Sequence, residues 1–173
     1  MKKIRTAIAG FGVVGKRRYS ILSKSKNIEV VAICDRNINK NLLIPNNICK
    51  YSNYIDMLDS EKIDAIFISL TNDIAPQATI DSLNKNIHVF CEKPPGRSVE
   101  DVKKVIAAEK NKKEKGIVLM YGFNHRYHHS VQDALKLLNS GELGKVINMR
   151  GVYGKAKLIT FNQLGWRAKR EIS

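Results

Sequence analysis

At 173 residues the chain is long enough for one full domain of about 100–150 residues plus a remainder. A hydrophobic fraction of 43% and a mean hydropathy of −0.27 fit a globular protein, and no apolar run approaches the roughly 18 residues of a membrane span. The net charge of +14 raises nucleic acid as a partner, but the excess is lysine scattered along helix faces, as at Lys103, Lys104, Lys110 and Lys115. It lacks the interleaved aromatics and arginine clusters of a base-reading surface, so nucleic-acid and membrane partners are set aside and anionic small molecules are favoured.

Ile4 to Ala9 is an apolar, β-type segment that runs into Gly10-Phe11-Gly12-Val13-Val14-Gly15, a G-x-G-x-x-G spacing. Gly10 lets the chain leave the strand through a tight turn, Gly12 lets backbone approach a pyrophosphate, and Gly15 lets the next helix pack closely on the sheet. That helix is the amphipathic segment from Val13 to about Ser23, whose first N–H groups suit phosphates. A second apolar run, Ile28 to Cys34, ends in Asp35, about 20 residues past the last glycine, where a carboxylate can accept from adenosine ribose hydroxyls. Its charge favours NAD, while Arg36 leaves NADP open if Asp35 turns away. Glycine turns also occur without a ligand, and an aspartate in this place can simply start a turn or cap a helix.

Further along, Ile48 to Tyr51 reads as a short strand and Tyr54 to Leu58 as a short helix. Ile63 to Leu70 is nearly all apolar, as expected of a parallel strand covered on both faces. Asp73 to Leu83 has helical spacing, Ile87 to Cys91 is a strand, and Ser98 caps a helix reaching about Lys113 with Asp101 at its third position. Ile117 to Tyr121 is the next strand. This alternation predicts an α/β fold, a doubly wound parallel sheet of the Rossmann type, over residues 1–122.

The pattern then changes. Tyr127 to Leu138 is helical, ending at Asn139-Ser140-Gly141, and Val146 to Tyr153 alternates as a strand of another kind, which cannot bury itself alone. Residues 123–173 are therefore expected to be the incomplete start of a second, α+β domain, and the uncovered strand suggests a homo-oligomer.

Cys34, Cys49 and Cys91 are odd in number and unpaired in spacing, which points to reduced, mostly buried thiols. The N-terminus is too short in apolar residues for a secretory signal, so a cytoplasmic location is expected. His125, His128 and His129 have no cysteine or carboxylate partner in a metal-ligand spacing, and no metal is expected.

The strand at Ile87 to Cys91 leads into Glu92-Lys93-Pro94-Pro95, at the carboxyl end where ligands of open α/β sheets lie. A lysine there can donate to a substrate oxygen and take part in acid–base work, and it can equally sit in a surface turn stiffened by Pro94. Together with Ala-Gly-Phe-Gly-Val-Val-Gly at 9–15, Val-Ala-Ile-Cys-Asp at 31–35, Ile-His-Val-Phe-Cys-Glu-Lys-Pro at 87–94, Tyr-Gly-Phe-Asn-His-Arg-Tyr at 121–127 and Gly-Glu-Leu-Gly-Lys-Val at 141–146, the motif resembles the Gfo/Idh/MocA family of glucose-fructose oxidoreductase and inositol dehydrogenase.

The resemblance implies an NAD(P)-dependent oxidoreductase acting on a hydroxyl of a sugar, cyclitol or sugar nucleotide. By it, Lys93 moves the hydroxyl proton, Glu92 and Lys93 lie near the nicotinamide ribose, the bond before Pro94 is often cis, and Asn124 and His125 look toward the substrate. His125 can also be only a loop residue. Asn72 is retained from the family's Thr-Pro-Asn loop, but the proline is missing and Ala75 stands where a histidine is common. Family members continue past a segment like Trp166-Arg167 to an aspartate and a histidine that complete the site, so the chain reads as a cofactor-binding portion. A non-catalytic nucleotide-binding or sensing module is the alternative on the same fold.

Overall fold

The computed structural model describes residues 2–38 and 44–152. Six strands form one parallel sheet: β1 (Ile4–Ala9), β2 (Ile28–Cys34), β3 (Cys49–Tyr51), β4 (Ala65–Ile68), β5 (His88–Cys91) and β6 (Leu119–Tyr121), in the spatial order β3-β2-β1-β4-β5-β6. This is the doubly wound order, with its reversal between β1 and β4. The helices between the strands are α1 (Val13–Leu22), α2 (Tyr54–Ser60), α3 (Ala75–Asn84) and α4 (Val99–Lys113).

Both faces of the sheet are covered, which is why the strands read as continuous apolar runs. Successive residues of β1 show the division. Ala7 and Ala9 join a cluster with Met57 of α2 and Ala78 and Leu83 of α3, while Ile8 joins Phe11, Leu22 and Ile33 on the opposite side. Ile8, Ile33, Ile66 and Ile68 are fully buried.

Local chemistry sets the ends of the elements. Ser98 accepts from the Asp101 N–H at 3.1 Å and the Asp101 carboxylate accepts from the Ser98 N–H at 3.3 Å, so α4 starts with the expected reciprocal cap. Asn53 caps α2 by accepting from the Ile55 N–H. Helix α3 begins at Ala75, two residues later than the sequence predicts, with Pro76 in its first turn, where a missing N–H costs nothing.

Beyond β6, Asn124–Tyr127 forms a single 3₁₀ turn, and α5 (His129–Ser140) ends at Gly141 in a left-handed conformation, φ +79°. Helix α5 buries none of its residues. The strand expected over Val146 to Tyr153 is not formed at residues 146–152, and Tyr153 lies outside the described residues. Residues 146–152 pair with none of the described strands, so alternation alone does not make them a strand; Ile147 is 95% exposed.

Candidate cofactor site

The parallel register lines up the carboxyl ends of five strands. Ala9 pairs with Cys34 on one side and Ile68 on the other, Ile68 with Cys91, and Cys91 with Tyr121. The residues that follow, Gly10, Asp35, Ser69, Glu92 and Gly122, therefore stand in one row along the edge of the sheet where β1 and β4 diverge. Residues as far apart in the chain as Gly10 and Gly122 meet in that row through strand pairing alone.

The three glycines of the first loop meet different surroundings. Gly10 has φ +90°, and a Cβ on it would stand 2.4 Å from the Ser69 carbonyl oxygen; a Cβ on Gly15 would stand 1.9 Å from the Gly10 carbonyl oxygen. Both positions admit only glycine. A Cβ on Gly12 would meet nothing within 4 Å. Gly12 is the N-cap of α1, makes no side-chain cap, and is followed by no acidic residue in the first turn, so the helix start is left without a side-chain acceptor beside the open space at Gly12.

That space is a cleft of about 470 Å³ lined by Gly10, Gly12, Asp35, Arg36, Tyr54 and Ser69, among others. The Ser69 hydroxyl is buried without a hydrogen-bond partner among the described residues. The Asp35 carboxylate is fixed from two sides: Oδ2 accepts from the Phe11 N–H at 2.7 Å and Oδ1 from the Asn37 N–H at 2.8 Å. It thus ties the glycine loop to the end of β2 while holding negative charge in the cleft. An open glycine at a bare helix N-terminus, an orphan hydroxyl and a fixed carboxylate fit a dinucleotide.

Other residues singled out in the sequence lie around the cleft. The Phe11 side chain is in the core against Tyr19, which leaves its backbone to face the loop, and Val13 is exposed at the start of α1 with Val14 behind it. Asn72 is half-buried in the loop after β4. Lys93 is exposed, and the Lys93–Pro94 peptide bond is cis. Asn124 and His125 are exposed in the 3₁₀ turn, two and three residues past Gly122, with the His125 and His128 rings 4.8 Å apart. Lys93 and Asn124 therefore follow the ends of neighbouring strands.

Two participants escaped the sequence reading. Tyr54 lines the cleft beside Asp35, and its hydroxyl donates to Asp81 at 2.9 Å; burial and then that hydrogen bond push its pKa up to about 12. Arg18 of α1 binds Glu92 at the end of β5. No local motif announces either. Cys34 and Cys91 are buried thiols, pushed up to about 12 and about 11 chiefly by burial, while Cys49 is exposed.

The sequence model of the GFO_IDH_MocA group, described as "Oxidoreductase family, NAD-binding Rossmann fold", matches residues 4–123. The chain belongs to this family. Residues 4–123 of this Gfo/Idh/MocA member are its NAD-binding Rossmann domain. Over 164 residues it is 25% identical to the inositol 2-dehydrogenase of Salmonella typhimurium, covering 90% of this chain and 47% of that one. The solved myo-inositol 2-dehydrogenase from Lactobacillus plantarum superposes with a TM-score of 0.75 at 34% identity, over 84% of this chain and 44% of that one. The WlbA dehydrogenase from Bordetella pertussis, solved with NADH and UDP-GlcNAcA, gives 0.74 at 25% identity, over 83% and 44%. The chain spans less than half the length of these relatives.

Proposed function

We propose that this chain is the cofactor-binding portion of an NAD-dependent oxidoreductase that oxidises a hydroxyl of a sugar, cyclitol or sugar nucleotide. The observation that carries the reading is the glycine loop: two glycines are demanded by packing, and the third is left bare at a helix N-terminus beside a fixed carboxylate. Gly10, Gly12 and the leading N–H groups of α1 hold the diphosphate, and Asp35 accepts from the adenosine ribose. The bound nicotinamide supplies the carbon that takes a hydride. Lys93 holds the proton that leaves the substrate oxygen, while Glu92 and Asn72 border the nicotinamide side and Asn124 and His125 the substrate side.

The substrates of the relatives support the substrate class: inositols for two, and a sugar nucleotide bound to the third. Residues 123–173 begin a second domain that shapes the substrate site and brings copies of the chain together, in a cytoplasmic protein. Among the described residues no helix is long and apolar enough to cross a membrane.

Fluorescence titration with NADH and NADPH tests the cofactor assignment. NADH is expected to bind the 173-residue chain at least tenfold more tightly than NADPH, because the Asp35 charge cannot move away from a 2′-phosphate without abandoning two backbone N–H groups. Asp35→Ser is expected to narrow that ratio, with Arg36 as the nearby cation. Equal affinities in the parent chain would refute the assignment.

A further inference from the structure

We propose that Arg18 is a positioning residue for the turn at the end of β5: by taking the Glu92 carboxylate it keeps that charge off the neighbouring ammonium of Lys93 and fixes the turn against the nicotinamide end of the cofactor. The inference rests on the cofactor reading above.

Arg18 lies three residues past Gly15, so the close packing of α1 on the sheet carries its side chain toward β5. Its Nε donates to Glu92 Oε1 at 2.9 Å, and Nη2 donates to the same oxygen. The guanidinium lies 4.8 Å from the centre of the Phe90 ring, which packs against Phe67 at 5.2 Å. Arginine suits this site because its planar group stacks on the ring while two N–H groups reach one carboxylate oxygen. The two charged side chains are 21% and 16% exposed, so screening is weak and an unmatched partner would be costly.

The other side of Glu92 is equally defined. Its Oε2 sits over Gly122, where a Cβ would come within 2.8 Å, and its N–H donates to the Ile68 carbonyl at 2.9 Å. Glu92 is thus held from α1, from β4 and from the residue after β6. Downstream, the Asp101 carboxylate accepts from the Arg97 N–H at 3.0 Å, anchoring the far end of the same turn to α4. Lys93 lies between these anchors in the chain, exposed, with no hydrogen bond or ion pair among the described residues. Without Arg18, the half-buried carboxylate would be left unmatched, with the Lys93 ammonium on the next residue of the chain. Pairing those two would draw the ammonium away from a substrate oxygen and loosen the turn.

The test compares the 173-residue chain with its Arg18→Met and Arg18→Lys variants, titrated with NADH and with ADP-ribose, which lacks the nicotinamide ring. Arg18→Met is expected to weaken NADH about tenfold and to leave ADP-ribose within about twofold. Arg18→Lys keeps the charge and loses the two-pronged contact, so NADH is expected to weaken only about threefold. Unchanged NADH affinity in Arg18→Met would overturn the proposal, and so would equal losses of both ligands, the signature of a merely structural pair. If Arg18→Met does not fold, Arg18→Lys decides by the same comparison: a selective loss of NADH supports the role, and loss of neither or of both overturns it. A parent chain that binds neither ligand overturns the cofactor reading itself, and this role with it.

Discussion

Gly10, Gly12 and Gly15 share a side chain of one hydrogen, yet each answers a different demand. Backbone crowds Gly10 and Gly15, whereas Gly12 borders empty space and adopts φ −72°, a value open to any residue. The physical consequence is a separation between folding and binding. Gly12→Val is expected to keep the melting temperature within a few degrees while lowering NADH affinity by more than about tenfold, since the branched side chain would fill the open space proposed above for the diphosphate. Gly15→Ala is expected to fail at the level of folding, because its Cβ would overlap the Gly10 carbonyl. Circular dichroism melts alongside NADH titration check both. The motif spacing made all three glycines legible as a set; which two are demanded by packing and which one borders open space became visible only with the neighbours in place. Asp35 shows the same limit, being readable as a ribose acceptor but not as the clasp on the Phe11 N–H.

Elements were legible where their signals are local. Helix α4 follows from Ser98 and Asp101 three residues on, and both halves of the reciprocal cap are present. Ser98→Ala is expected to cost about 1 kcal/mol in urea unfolding, a typical value for a lost helix cap. A change within experimental error would show that Asp101, which also accepts from Arg97, holds the helix start unaided. Residues 146–152 mark the opposite case. Their alternation is as regular as that of a strand, but a strand exists only through its partner's N–H and C=O groups, and none of the described strands pairs with these residues. The boundaries of β4 and β6, shorter than their apolar runs, reflect the same dependence: each strand reaches only as far as its ladder, Ala65–Ile68 and Leu119–Tyr121.

At the scale of the molecule, covering the sheet on both faces buries ionisable groups that would titrate freely in the unfolded chain. Cys34 and Cys91 are raised from an ordinary thiol value of 9.0 to about 12 and about 11, and Tyr54 from 10.0 to about 12, in each case with burial as the first cause. The folded state holds these protons more tightly than the unfolded one. Their contribution to stability is therefore complete below about pH 9 and is lost as the pH rises toward the folded values. Urea midpoints measured from pH 7.5 upward are expected to fall steadily above about pH 9, and Cys34→Ala is expected to flatten the slope. A midpoint constant to pH 11 would contradict the burial of these groups.

From its residues alone the chain declared a doubly wound sheet, a glycine loop, an acid at the end of the second strand and a lysine after the fifth, because periodicity, caps and motif spacing are properties of neighbouring residues. Tertiary structure decided what no local pattern encodes: that five strand ends fall in one row, that the carboxylate of Asp35 closes on the first loop, and that Arg18 reaches Glu92 from 74 positions away. Those contacts depend on strand order and helix packing, and each brings together charges or backbone groups whose separation along the chain carries no trace of their distance in space.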